Sequence, residues 1–372
     1  MTTFASAGPP EIQPVGPSGG GADDRWDRPR VVKERTADYW LALTGSLVGS
    51  GGLTWLLYEQ LLPFSGVTGF VISWFVVYVA LFAAVTALVH PRHIVIDRLW
   101  TAVITGAAGI VGAALVSSVG YIIERGWPAV HHLNFFTQSA SGGRLDGALT
   151  HGGILNAIVG SLIELGIATA ISLPLGLGTA IYMVEVGGPV AKAVRTVVEA
   201  MTALPDILAG LFIYTFLIIA LGFQRSGFAA GVALSVMMLP IIARTAYVQL
   251  KVVPGGLREA SLALGATQWS TVWRVVIPTQ RSGLATAVIL GMARAVGETA
   301  PVLITSGAST YLNFNPLNNP MNSLPLFIFT AVRSGEPNFI ERGFAAGVVL
   351  LAMVLILFVT ARLLARSKVA RR

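Results

Sequence analysis

Residues 254–301 read PGGLREASLALGATQWSTVWRVVIPTQRSGLATAVILGMARAVGETAP. Pro254-Gly255-Gly256 breaks the preceding helix, and Leu257 to Leu264 then supplies strong helix formers. Gly265 suits a left-handed helix stop. Thr267 can cap a second helix, whose Trp269 and Trp273 suit a membrane interface. A long apolar run follows, expected to cross the membrane over about 282–306, with Arg294 and Glu298 in its middle. A small-residue helix with a glycine stop, joined to a span that buries a charge pair, points to a transporter and away from an enzyme. Force applied to the short helix would enter a membrane path that handles an ion.

Composition agrees. Of the 372 residues, 54% are hydrophobic and only 12% charged, against roughly 25% charged in a soluble domain; the mean hydropathy is +0.72. A helix needs about 20 mostly apolar residues to cross a hydrocarbon core of about 30 Å. Eight segments qualify, at about 41–62, 68–89, 99–123, 154–176, 203–222, 228–249, 282–306 and 343–363. The expectation is an all-α, polytopic integral membrane protein.

Basic residues set its orientation. With the N-terminus in the cytoplasm, 18 of the 25 Lys and Arg fall inside, 5 outside, and Arg244 and Arg294 lie within spans. Both termini are therefore expected in the cytoplasm. The net charge of +7 follows these loops and is no nucleic-acid footprint. Without cysteine, the chain has no disulfide, thiolate zinc site or iron–sulfur cluster. Its five histidines lack metal-ligand spacing, so no metal is expected. Forty polar residues precede the first apolar run, which argues against a cleavable signal peptide.

The chain divides into three expected parts: a disordered cytoplasmic tail (1–40), an accessory transmembrane hairpin (41–98) and a larger transmembrane domain (99–372). In the tail, ten of the fourteen residues from Gly8 to Gly21 are Gly, Pro or Ser. The hairpin turns at Pro63 and Gly66 and carries no central ionisable residue. Two long external loops, about 124–153 and 307–342, hold Trp127, Phe135, Phe136, Arg144 and Asp146, and then Tyr311, Phe314 and the apolar run Leu324 to Phe329. Loops of this length read as a docking surface, a re-entrant gate or a structured lid.

Arg294 lies about 12 residues from either end of its expected span, or ~18 Å at 1.5 Å per residue, too deep to snorkel fully. A midplane Arg costs at least ~2.5–3.5 kcal/mol and usually faces protein or a water-filled path. Glu298, at i+4, shares its face and can neutralise it when the path is empty. Thr305 returns to that face three turns on. The alternative is a structural ion pair holding two helices in register. Arg244 sits near the cytoplasmic end of its span, where snorkelling explains it. Glu164 lies mid-span, and a neighbouring helix would have to supply any partner.

Within the loop of about 250–281, Ala260, Ser261 and Ala263 leave slim faces for insertion into a partner's cleft, and Leu257, Leu262 and Leu264 would anchor them. An interfacial amphipathic helix is the alternative. The pattern Glu259-Ala260-Ser261-x3-Gly265-x9-Val275-x-Ile277-Pro278 resembles the EAA loop of bacterial ABC importer permeases, the binding-protein-dependent inner-membrane components. Ser261, Val275 and Ile277 are mild departures. Gly291-Met-Ala-Arg294-Ala-Val-Gly297-Glu298-Thr299-Ala300-Pro301 is similar to the signature of the phosphate-specific branch, in particular its A-type subunits. Leu239-Pro240-Ile-Ile-Ala-Arg244-Thr245, the stretch Gly152 to Gly160, and Leu173-Pro174-Leu175-Gly176 resemble the same branch. The likeness covers about 99–364.

That resemblance implies a type I ABC importer permease fold, a six-span core to which the N-terminal two-span hairpin is an addition. It implies half of a two-permease phosphate path in a bacterial cell membrane. The partners would be a companion permease, a cytoplasmic ATP-binding dimer, an extracytoplasmic phosphate-binding protein and membrane lipid. No phosphate loop of the form G-x-x-x-x-G-K-[ST] occurs here, so ATP and Mg would be used by the separate ATPase, with no cofactor and no catalytic residue in this chain. The substrate path would hold Arg294, Glu298, Thr299, Thr305 and Arg244. ATPase coupling would fall to Arg258, Glu259, Ala260, Ser261, Leu262 and Gly265. A permease for sulfate or molybdate is the near alternative, and a membrane scaffold the distant one. An intramembrane protease would need a nucleophile–base pair or paired catalytic carboxylates at depth, which Arg294 and Glu298 are not.

Overall fold

The apolar runs fold into helices, and no strand occurs among the described residues. The structure is a computed structural model that describes residues 37–61, 66–142 and 147–365. The Gly/Pro-rich tail, Pro63, Arg144, Asp146 and the basic C-terminal end lie outside them. In chain order the helices are α1 (Ala37–Leu56), α2 (Val67–Val89), α3 (Arg92–Val130), α4 (Leu133–Thr137), α5 (Leu155–Ile181) and α6 (Gly188–Thr202). There follow α7 (Asp206–Ile213), α8 (Gly227–Lys251), α9 (Gly255–Ala263), α10 (Gln268–Thr271) and α11 (Ile277–Thr279). Last come α12 (Arg281–Val296), α13 (Ala300–Thr305), α14 (Leu324–Val332) and α15 (Pro337–Ala365). Single π-helical stretches extend α1, α5 and α7 and join α10 to α11.

Six of these segments are long and apolar enough to cross a membrane: 39–60, 67–89, 92–130, 155–186, 227–251 and 337–363. Two further helix pairs qualify only when taken together: α6 with α7 and its π extension, bent by 103°, and α10–α11 with α12, bent by 76°. The protein is a multi-pass membrane protein, with eight spans if each bent pair counts as one. The continuous helix expected over 282–306 is corrected. Its first part, α12, stops at Val296, and α13 starts at Ala300. Pro301 has no N–H and its ring crowds the carbonyl of Gly297; α5 and α8 carry Pro174 and Pro240 within them, and here the proline acts together with Gly297, a poor helix former, at the break. The third helix also begins earlier than expected, at Arg92, because the polar residues after Pro91 continue the helical turn.

Two compact units partition the chain, meeting within α3 at Ala113 and Ala114. The first buries Tyr78, Phe82 and Ala102. Its two leading helices are tied by Trp74 Nε1, which donates to Ser50 Oγ at 3.0 Å, and by Tyr58 and Ser73, whose hydroxyls lie 3.0 Å apart.

The second unit is built around α5 and α8, which bury Leu165, Ala168, Ala230, Leu234, Met238 and Ile242 against Ala295 and Val296 of α12. Small residues permit the close approach. A Cβ on Gly231 would stand 2.6 Å from Ile167 Cγ2. At the end holding α4 and α14, side-chain amides and Arg342 fasten the long loops to helices, as a chain without cysteine requires. Arg342 donates to the carbonyls of Ala148 (2.8 Å) and His151 (2.7 Å), and Asn156 Nδ2 to that of Ser309 (2.7 Å). The apolar run from Leu324 forms α14, with Leu324, Leu326 and Phe327 buried.

Candidate functional site

Breaking the span at Gly297 places Arg294 in the last turn of α12, where a cation complements the helix dipole. A second broken element comes to meet it. Pro205 caps α7, and Asp206 is that helix's first residue, where an anion is favoured. Gly210, one turn further on, lets α7 lie against α13: a Cβ there would stand 2.6 Å from the Cα of Pro301. The packing holds Asp206 beside Arg294.

Arg294 Nη2 lies 3.0 Å from Asp206 Oδ2 and 3.3 Å from Oδ1. Glu298, the partner expected from i+4 spacing, is further away, with its Oε1 3.8 Å from Arg294 Nε. That is an ion pair without a hydrogen bond. Arg294 keeps 54% of its side chain exposed, Asp206 30% and Glu298 20%. Nη1 of Arg294 has no acceptor among the described residues. A cavity of about 60 Å³ opens beside the pair, lined by Met201, Thr202, Ala209, Met237, Pro240 and Ile241 among others, room for several waters. In a membrane, irregular backbone is tolerated where it is buried in protein or lines a water-filled path.

The other expected path residues scatter. Thr299, half-buried, occupies the cap position of α13 without making a side-chain cap. Arg244 is exposed on α8, one turn beyond Pro240 and Ile241 at the cavity edge. Thr305 does not share the face of Arg294: the break at Gly297 ends the helical register, and Thr305 is fully buried with its hydroxyl donating to Pro301 O at 2.7 Å. Glu164 is fully buried, and its Oε1 has no hydrogen-bond partner among the described residues. Asp206 is the residue that sequence reasoning passes over. The dipeptide Pro205-Asp206 is a helix-start signal that could have flagged it.

The loop of about 250–281 folds as its local chemistry dictates. Gly265 has φ +82°, the left-handed stop of α9, and Thr267 Oγ1 accepts from Ser270 N at 3.2 Å to cap α10. Glu259, Ala260, Leu262 and Gly265 are exposed, and Leu264 is 89% exposed. Ser261 turns inward, its hydroxyl 2.9 Å from that of Thr271. Arg258 turns inward too. Its Nη1 donates to Val253 O (2.8 Å) and its Nη2 to Leu250 O (3.0 Å), satisfying carbonyls at the end of α8. Its Nε and Nη2 reach Glu185 Oε1 at 3.1 and 3.0 Å. Glu185 was absent from the residues expected to matter. Its own carbonyl accepts from Gln268 Nε2 at 2.6 Å, so one residue at the end of α5 grips both arms of the loop.

The sequence profile described as binding-protein-dependent transport system inner membrane component matches residues 172–369, more than half of the chain. The phosphate transport system permease protein PstA 1 of Mycobacterium tuberculosis (strain H37Rv) is 38% identical over 244 residues, covering 64% of this chain and 78% of that protein. The phosphate transport system permease protein PstA of Pasteurella multocida is 32% identical over 244 residues, covering 65% of this chain and 84% of that protein. Among solved structures, an inward-facing MetNI methionine ABC transporter matches 57% of this chain and 92% of its own with a TM-score of 0.46 and 21% identity. On the profile match and the coverage of these curated relatives, the chain belongs to the family of binding-protein-dependent transport system inner-membrane components.

Proposed function

We propose that this chain is a membrane-spanning permease subunit of an ATP-driven phosphate importer and has no catalytic site of its own. The single observation that carries the reading is the half-exposed Arg294 at the junction of two broken helices, with donors left over for an anion. Charge-assisted hydrogen bonds from a guanidinium suit phosphate oxygens. The relatives described as phosphate permeases support phosphate over sulfate or molybdate.

In this reading the chain lines half of the path, and a companion permease supplies the other half, with an Arg of its own. Arg294, Glu298, Thr299 and Arg244 border the passing ion, and Thr305 supports the end of α13 from within. An extracytoplasmic phosphate-binding protein delivers the ion to the face bearing the 307–323 loop and α14. A cytoplasmic ATPase dimer, which binds ATP and Mg, docks on the exposed face of α9 through Glu259, Ala260, Leu262 and Leu264. Arg258 and Ser261 hold that helix in place. Both termini lie in the cytoplasm of a bacterial cell, and the first two helices form an accessory hairpin.

The test is uptake into vesicles that hold the complex and binding protein, with phosphate, sulfate and molybdate compared. ATP-dependent accumulation of phosphate alone is expected. Preference for another oxyanion, or no ATP-dependent transport, would refute the reading.

A further inference from the structure

Asp206 stands in the structure where an incoming anion would have to bind. Its two carboxylate oxygens meet Arg294 Nη2 at 3.0 and 3.3 Å, closer than Glu298 at 3.8 Å. With Glu298 beside it, one guanidinium faces two carboxyl groups, and an arriving anion competes with them for it. An anion that arrives at the free Nη1 donors meets a guanidinium already paired through Nη2, and gains the whole of it only by parting that pair. Glu298 is ill placed to be the group that leaves, because it follows Arg294 on the same stretch of chain. Asp206 belongs to a different element: it begins α7, directly after the 103° bend from α6. A small shift of that elbow against α12 would part the pair and leave Glu298 where it is.

We infer that Asp206 is a displaceable counter-ion, which occupies Arg294 while the path is empty and is driven off by the arriving anion, so that it speeds release by reclaiming the guanidinium. The inference rests on Arg294 being the phosphate contact. It assigns the release step to Asp206, a residue 88 positions from its partner. The elbow supplies the motion: α6 carries Lys192, Arg195 and Glu199, and Arg195 bonds Glu199 (2.9 Å) and Tyr247 of α8 (3.3 Å). The α6–α7 bend is thereby tied to the end of α8 from which α9 departs.

The experiment compares the wild-type importer complex, purified from its host membrane, with Asp206→Asn and Asp206→Ser. Both changes remove the charge, one keeping the shape and the other leaving space. Two quantities are read: retention of radiolabelled phosphate by the solubilised complex, and the half-saturation and maximal rate of ATP-driven uptake in vesicles. Without its competitor, Arg294 should hold phosphate longer, with retention up at least several-fold and half-saturation and maximal rate both down. A merely structural pair would lower assembly or heat stability and leave retention and half-saturation unmoved. Wild-type retention and half-saturation in variants that assemble would overturn the proposal, and so would failure of both variants to assemble. If the wild type does not carry phosphate, or Arg294→Gln carries it normally, the underlying reading fails. Normal wild-type uptake with unaltered retention in the neutral variants defeats the counter-ion alone.

Discussion

Replacing Glu185 by alanine should loosen the 250–281 loop from the helices that it moves in the proposed function. In the native protein Arg258 gives two hydrogen bonds to Glu185 and one each to the carbonyls of Leu250 and Val253. The side chains are 21% and 8% exposed. Hydrogen bonds to charged groups contribute about 1.5–3 kcal/mol each, and removing one partner of a fully buried pair costs about 3–5 kcal/mol. Arg258 can still reach water, so we expect the smaller figure of about 2–3 kcal/mol. For a chain of 372 residues, that corresponds to a fall of about 3–4 °C in the unfolding midpoint of the solubilised protein. The edge-to-face pair Trp269 and Trp273, ring centroids 5.5 Å apart, sits in the same loop and should report the loosening by fluorescence.

Stability alone would not separate a strut from a transmission element, so the decisive assay is ATP hydrolysis by the assembled complex. Loss of substrate-stimulated hydrolysis, with basal hydrolysis retained, is expected of Glu185→Ala. Arg258→Ala should cost more, because it also strands the Val253 carbonyl and leaves that of Leu250 with Val253 N alone. The double variant should cost scarcely more than Arg258→Ala, leaving a coupling of about 1–3 kcal/mol between the two sites. Native melting and native stimulation in Glu185→Ala would refute the reasoning.

Gly265→Val places a β-branched residue at φ +82°, a conformation such residues scarcely adopt, so membrane insertion should be normal while ATPase association or stimulated hydrolysis is lost on co-purification. Gly210→Leu builds side chain into Pro301, whose Cα lies 2.6 Å from the new Cβ; α7 should be forced off α13, and phosphate uptake should fall at least tenfold even where assembly persists. Arg294→Gln should abolish uptake while the complex still assembles, and adding Asp206→Asn, which neutralises the nearer partner, should restore any lost stability but not transport; near-normal uptake by the double variant would rule out Arg294 as the anion contact. Labels at Ser18 and after Arg372 should be reachable only from the cytoplasm, and one at Gly142 only from outside; labelling of loops 124–153 and 251–281 from one side would overturn the topology.

The coupling loop was legible because its signals are local. Pro254 opens α9, Gly265 closes it and Thr267 caps α10 within a dozen or so residues, and each acts through its own backbone geometry. The long helices were legible because apolar length is itself the signal. The break after Val296 was less so. Gly297 and Pro301 were in view, but the apolar run continues through Val302, Leu303 and Ile304, and hydropathy does not register a missing N–H. Placing Thr305 on the face of Arg294 followed from assuming unbroken helical register, and the proline removes that assumption.

Asp206 was hidden for a different reason. A charge in the middle of an apolar run attracts notice, which is why Arg294 was found, and the nearest acidic residue along the chain was Glu298. Sequence spacing can rank only neighbours on one helix, whereas the acceptor that comes closest belongs to α7, beyond two changes of chain direction. Each residue also has a bland explanation when taken alone. Arg294 suits the C-terminal turn of its helix, and Asp206 suits the N-terminal turn of another. Either would be stable as an ordinary helix-end charge. What makes them a site is that both helix termini come to one place, held there by the close approach of Gly210 to Pro301. Two charged helix termini that meet beside a cavity leave guanidinium donors unfilled, and an anion is company that can come and go.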